Sequence, residues 1–216
     1  MFSNIKGAIF DLDGTLIDSM WIWEEIDNTY LSSKGIPVPE NLKNEINHLS
    51  YEQTAIYFKN RFKLNESVED ILNTWHQMSY SYYSKNVKLK KGVIEFLEFL
   101  KSQNIKIGLA TSNSRILLDA ALKCTNIAKY FNSITLTAEV NYGKNHPDVY
   151  LLAAKKLGIS PSECIVFEDI IEAVKGAKAA KMKVVAIYDK AAEYQKEELI
   201  NTADMYIYNF KELLKN

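Results

Sequence analysis

Very little net charge, only two cysteines and no long apolar run mark this 216-residue sequence by what it leaves out. With 26 basic against 27 acidic side chains, no overall field draws the chain to nucleic acid or to an anionic membrane surface. Cys124 and Cys164 stand far apart and form neither a CxxC pair nor a metal-ligand spacing. Two buried thiols in a reducing compartment are the plain expectation. The first apolar run, Ile5 to Phe10, is stopped by Asp11, too short and too soon interrupted to read as a signal or membrane segment. A cytoplasmic location is expected. No internal repeat, low-complexity tract or charge block is present. What remains, 47% hydrophobic and 25% charged, is the composition of a globular protein with room for one large domain or two small ones.

Two textures follow one another along the chain. A short β-rich run, Ile5 to Phe10, ends at a cluster of acids. From about Ile17 to Lys90 no convincing buried strand is visible, and apolar residues keep helical spacing: Ile22, Ile26 and Tyr30, then Ile56 and Phe58, then Ile71, Leu72 and Trp75. Gly35, Pro37, Pro39 and the Asn65–Ser67 stretch break this pattern, which predicts three or four packed helices. From Lys91 strands and helices alternate. Val93, Phe96, Leu97 and Leu100 form one helix face, and Leu117, Ala120, Ala121 and Cys124 another. Tyr150, Ala153, Ala154 and Leu157 form a third, stopped by Gly158, and Ile170, Ala173, Val174 and Ala177 a fourth. Between them lie the strand runs Ile105–Ala110, Ile134–Leu136, Ile165–Phe167 and Val184–Ile187. Such βαβα order predicts an α/β fold, a parallel sheet with helices on both faces, into which the helical stretch is inserted after the first strand.

In open α/β sheets ligands bind beyond the carboxyl ends of the strands, so polar residues that follow directly on an apolar run are the ones to inspect. The first strand ends in Asp11-Leu12-Asp13-Gly14-Thr15. Two carboxylates leaving a buried strand call for a cation, and a hard divalent ion such as Mg²⁺ suits clustered oxygens. One Asp could attack phosphorus and the other give and take a proton. A surface turn is the alternative, but such a string arises by chance only about once in 10⁵ positions. The next strand ends in Thr111-Ser112-Asn113, hydroxyl and amide groups that suit a phosphate at a helix start or a plain N-cap. Lys144, before the helix that begins near Asp148, opposes the helix dipole and reads either as a cation wanted locally or as a solvated loop residue. A fourth strand ends in Glu168-Asp169, a further acid pair suited to a cation or to a helix N-terminus. Taken in order, a nucleophile with acid/base, phosphate-binding groups, a lysine and a metal-binding acid pair make up the set that phosphoryl transfer needs.

The ordered set Asp11-x-Asp13-Gly14-Thr15, Thr111-Ser112-Asn113, Lys144 and Glu168-Asp169 resembles the four motifs of the haloacid dehalogenase superfamily of phosphotransferases. Asp18-Ser19, the helical insertion and Pro147-Asp148 resemble the branch that holds β-phosphoglucomutase and many small-molecule phosphatases. The resemblance covers nearly the whole chain. It implies a Rossmann-like catalytic core of residues 1–16 and 88–216 and a helical cap of residues 17–87. It implies Asp11 as nucleophile and Asp13 as general acid/base. Thr111, Ser112, Asn113 and Lys144 would bind the phosphoryl group. Mg²⁺ would be held by Asp11, the Asp13 carbonyl and Asp169, with Glu168 at or near the metal. The implied partner is a small phosphorylated metabolite, not nucleic acid or membrane, and the expected state is a monomer or weak dimer.

Some positions depart from the pattern: Asn145 stands where proline usually follows the motif lysine, and Ile170 and Ala173 where serine and glycine are usual. Where mutases of this branch carry a cap histidine and a phosphate-binding cap arginine, the chain has Trp23 and Tyr51. A phosphatase is therefore expected ahead of a sugar phosphomutase. A phospho-accepting signalling domain is disfavoured by the Asp11-x-Asp13 spacing and the cap, and a dehalogenase by Asp13, for which it has no use. Most of the cap aromatics, Trp21, Trp23, Trp75, Tyr80, Tyr82 and Tyr83 among them, are expected to fill the helical bundle, with Trp21 or Trp23 turned toward the site.

Overall fold

The computed structural model describes residues 4–46 and 51–214. In chain order its elements begin with β1 (Gly7–Phe10), β2 (Ile17–Asp18), α1 (Trp21–Ser33), α2 (Leu42–Ile46), α3 (Tyr51–Arg61), α4 (Val68–Lys85) and β3 (Lys88–Leu89). They continue with α5 (Val93–Ser102), β4 (Lys106–Thr111), α6 (Arg115–Thr125), β5 (Ser133–Leu136), α7 (Asp148–Leu157) and β6 (Cys164–Glu168). The last are α8 (Ile171–Ala179), β7 (Lys183–Ile187), α9 (Lys196–Thr202) and β8 (Met205–Ile207).

Six strands form one parallel sheet in the order β5-β4-β1-β6-β7-β8. The side-chain period of two divides its residues between two cores. Ala8, Phe10, Ile107, Leu109, Ile165, Phe167, Val185 and Ile187 face one core. There they meet Val93, Phe96, Leu97 and Leu100 of α5. Ile9, Ala110, Val166, Val184 and Ala186 face the other, against Val149, Ala153, Ala154, Val174 and Ala177 of α7 and α8. At the centre Phe10 stacks on Phe167 at 4.4 Å, with Phe96 and Phe210 around them. Gly158 ends α7 in the left-handed conformation, the role its place in the sequence predicts. Cys164 is buried and Cys124 half-buried, and both are free thiols.

Four helices, α1 to α4, make the insertion. Ile22, Ile26 and Tyr30 of α1 bury one face against Phe58 of α3 and Ile71 and Trp75 of α4. Trp75 meets Phe58 edge-on at 4.9 Å and Tyr30 at 5.7 Å. A capping box of Ser67 and Asp70 starts α4 by satisfying two otherwise orphaned N–H groups. Of the other cap aromatics, Tyr83 is fully buried, while Trp21 and Tyr80 are exposed. Two short strands, absent from the sequence reading, join the insertion to the sheet: β2 and β3 pair antiparallel, Ile17 with Leu89 and Asp18 with Lys88. Two residues per strand are too few to show a hydrophobic period. Also unpredicted is β8, three residues at the sheet edge. No described helix is long and apolar enough to cross a membrane.

The strand order decides where a site can form. β1 lies between β4 and β6, and the chain crosses back over it on the way from β5 to β6, so the carboxyl ends of these three neighbours meet at a topological switch point.

Candidate active site

Asp11 is the first residue beyond β1 and is buried, its N–H bonded to the Phe167 carbonyl of β6 at 3.0 Å. The chain then turns tightly, with Leu16 and Ile17 N–H groups both bonded to the Leu12 carbonyl. Gly14 makes the turn possible. Its φ is +79°, and a Cβ there would collide with the Asp169 carboxylate. Thr15 instead approaches Asp169 from the turn, its hydroxyl donating to Oδ1 at 3.1 Å.

Lys144 arrives from the loop between β5 and α7. Its ammonium lies in contact with Asp11 Oδ1 and 2.7 Å from Glu168 Oε1. Glu168 also accepts from the Tyr150 hydroxyl at 2.8 Å. Ligand atoms of Asp11, Glu168 and Asp169, all three residues buried, lie within 4.8 Å of one another. Two of these three buried carboxylates, Asp11 and Glu168, thus share one ammonium, with Asp169 alongside. Burial, then the neighbouring acids Glu168, Asp169 and Asp13, push Asp11 well above the usual carboxylate range, with Lys144 pulling the other way. Burial and then Glu168 push Asp169 up to about 7. Burial alone would lower Lys144, but the attraction of Asp11 and Glu168 outweighs it and holds the ammonium above its ordinary value. One ammonium beside three buried carboxyl groups leaves an excess of acid that a cation would offset. The donors are hard oxygens, and Glu168 Oε2 is buried with no hydrogen-bond partner, so the residues fit a divalent ion such as Mg²⁺. Lys90, paired with Asp189 at 2.8 Å, is near enough to favour the charged form of Asp169.

Asp13 is held apart from this group. Ser19 and Tyr83 donate to its Oδ1 at 2.7 and 2.6 Å, and Asn113 to its Oδ2 at 2.8 Å. Tyr83 comes from α4, so the insertion itself touches the Asp13 carboxylate. Of the groups after β4, Thr111 is buried and accepts from the Asn113 N–H at 3.0 Å, and Ser112 is exposed. The N-cap of α6 is Ser114, one residue further on, which leaves Thr111, Ser112 and Asn113 free of that duty. Asp148 lies in the first turn of α7 behind Pro147 and does not cap it. His146 stacks on Tyr142 in the loop. The structure therefore gathers Asp11, Lys144, Glu168 and Asp169 into one cluster, with Asp13 and Asn113 joined beside it.

Tyr150 is legible in the sequence only as a helix-face residue, Tyr83 only as one of the aromatics of the insertion, and Ser19 only as a neighbour of the first motif. The one available signal was a phenol, carrying a single polar atom, at a helix position that faces the core. In the cap, Trp21 is exposed and donates to the Asp18 carbonyl at 3.0 Å. Trp23 is half-buried and meets Tyr51 edge-on at 5.8 Å.

A family model described as haloacid dehalogenase-like hydrolase matches residues 8–187. The Phosphorylated carbohydrates phosphatase of Thermotoga maritima is 31% identical over 176 residues, 82% of each chain. Hexitol phosphatase B of Escherichia coli K12 is 26% identical over 216 residues, 97% of this chain and 95% of that one. A solved Thermotoga maritima structure named for beta-phosphoglucomutase superimposes with a TM-score of 0.88 at 28% identity, covering 98% of this chain and 99% of that one.

Proposed function

The chain belongs to the haloacid dehalogenase-like hydrolases and is a phosphoric monoester hydrolase, and from that premise we propose that it dephosphorylates a small phosphorylated metabolite, a sugar or sugar-alcohol phosphate, through an aspartyl-phosphate on Asp11. The observation that carries this reading is Lys144, whose ammonium is shared by Asp11 and Glu168, with Asp169 alongside. Residues 1–16 and 88–216 are the catalytic core in this proposal, and residues 17–87 are the cap that sets specificity.

Asp11, the Asp13 carbonyl, Glu168 and Asp169 would hold Mg²⁺. When bound, the ion supplies positive charge against the phosphoryl oxygens and keeps the nucleophile ionised. An Asp11 oxygen forms a bond to phosphorus as the bond to the ester oxygen breaks. Asp13 delivers a proton to the departing alcohol. Water then adds to phosphorus with Asp13 taking its proton, and inorganic phosphate leaves as Asp11 is regenerated. Lys144 neutralises charge that builds on the phosphoryl oxygens, and Thr111, Ser112 and Asn113 bind them.

The rival reading, a sugar phosphomutase, needs a cap cation to hold the distal phosphate of a bisphosphate. Trp23 and Tyr51 pack on each other at the positions compared above. Neither side chain offers a positive charge, and burial and then Asp27 push the Tyr51 hydroxyl up to about 12. This disfavours a second phosphate there and supports hydrolysis. The test is a panel of phosphorylated metabolites assayed for released phosphate, with and without chelator, including a hexose 1-phosphate with a trace of its bisphosphate. Expected are phosphate release that stops on chelation and returns with Mg²⁺, and no accumulation of hexose 6-phosphate. Full activity in excess chelator would refute the metal assignment, and isomerisation much faster than phosphate release would replace phosphatase by mutase.

A further inference from the structure

Glu168 divides its two carboxylate oxygens between unlike surroundings. Oε1 accepts two hydrogen bonds, from Lys144 Nζ at 2.7 Å and from Tyr150 OH at 2.8 Å. Oε2 is buried and accepts none. An orphaned buried acceptor costs about 1–3 kcal/mol, so an arrangement that keeps one needs a reason to be there. Lys144 does not by itself decide which oxygen it takes. Its ammonium is a flexible point donor already engaged with Asp11, and the terminal torsion of a glutamate is soft and nearly two-fold. Tyr150 is different. Its ring is fully buried in α7 among Val149, Ala153 and Ala154, and it reaches Glu168 with a single hydroxyl. A phenylalanine would fill the same core volume, so packing alone gives no reason for the oxygen.

We propose that Tyr150 is a positioning residue for the ion site: its hydroxyl pins Glu168 Oε1 beside Lys144 and so presents Oε2 as the acceptor left for a divalent cation. This rests on the reading that Asp11, Glu168 and Asp169 hold such an ion. Lys144 lies in the loop that leads into α7 and Tyr150 in the first turn of that helix, so one short stretch of chain registers both the phosphate-binding ammonium and the orientation of a metal ligand. Partners of this kind commonly change metal affinity by about 10- to 100-fold when removed.

The test is direct Mn²⁺ binding to metal-free protein, followed by electron paramagnetic resonance, with thermal unfolding as a check on the fold. Tyr150→Phe is expected to raise the Mn²⁺ dissociation constant about 10-fold and to leave Tm within a few degrees of wild type. In a Glu168→Gln background the same change is expected to do little, because it acts through that carboxylate. Wild-type Mn²⁺ affinity in Tyr150→Phe, with Asp169→Asn clearly weakened, would overturn the role of Tyr150 and leave the ion site standing. An equal penalty in the Glu168→Gln background would also overturn it. Wild-type affinity in Asp169→Asn would overturn the ion site and this proposal together.

Discussion

Gly176 sits in the buried face of α8 where the loop that carries Lys144 crosses it. A methyl group there would overlap the Lys144 carbonyl oxygen and lie 2.9 Å from the carbonyl oxygen of His146. Both are backbone atoms, which cannot rotate aside, so Gly176→Ala forces the loop off the helix. Ala is favoured over Gly in a helix by about 1 kcal/mol, while overpacking that displaces backbone costs about 3 kcal/mol. The net loss is about 2 kcal/mol, or about 4–8 °C in Tm for a chain of this size. A larger effect is expected on turnover. Displacing Lys144 by about 1 Å from the Asp11 and Glu168 carboxylates lowers kcat by up to about 10²-fold. Thermal unfolding and phosphate release on the same preparation read both numbers. A Gly176→Ala protein as stable and as active as wild type would show that the close approach of α8 does not position Lys144.

Asp13→Asn keeps the side chain within reach of Ser19, Tyr83 and Asn113 but removes proton transfer, and is expected to lower kcat about 10²–10⁴-fold with little change in Tm. A steady-state comparison checks this, and an unchanged kcat would remove Asp13 from the acid/base role. Asp27, half-buried in α1, is raised from the usual 3.8 to about 7 by burial and then by Glu24. The folded state therefore prefers its neutral form, and stability present below about pH 4 is lost as pH rises toward about 7. Asp27→Asn stays neutral, so its advantage should grow across that window and level off above it, reaching about 1–2 kcal/mol once the water-facing part of the carboxyl is discounted. Urea unfolding at about pH 4 and about pH 8 tests this, and equal differences at both would contradict it.

The sheet was legible because each parallel strand buried on both faces is an unbroken apolar run, and each run that feeds the site ends abruptly in polar residues. Phe10 gives way to Asp11, and Phe167 to Glu168-Asp169. A helix face with small residues, Ala173 and Ala177, showed where α8 could lie close to the sheet. The β2–β3 pairing was not legible, since it rests on backbone bonds between residues about seventy apart. The same distance hides Tyr83. Its spacing from Ile71, Trp75 and Ser79 marks a buried helix face, but nothing local tells that its hydroxyl meets Asp13. At Thr111-Ser112-Asn113 the sequence allowed a cap or a phosphate site. The actual cap, Ser114, could be told from its neighbours only once the helix start was placed.

The most direct test of covalent phosphoryl transfer on Asp11 is rapid acid quench of the enzyme during turnover of a phosphorylated substrate, followed by mass spectrometry of the peptide that spans this residue. Expected is one phosphoryl group on Asp11 in wild type and none in Asp11→Asn, which retains the volume but not the nucleophile. A normal burst of phosphoenzyme in Asp11→Asn, or a phosphoryl group on any other residue of wild type, would contradict it.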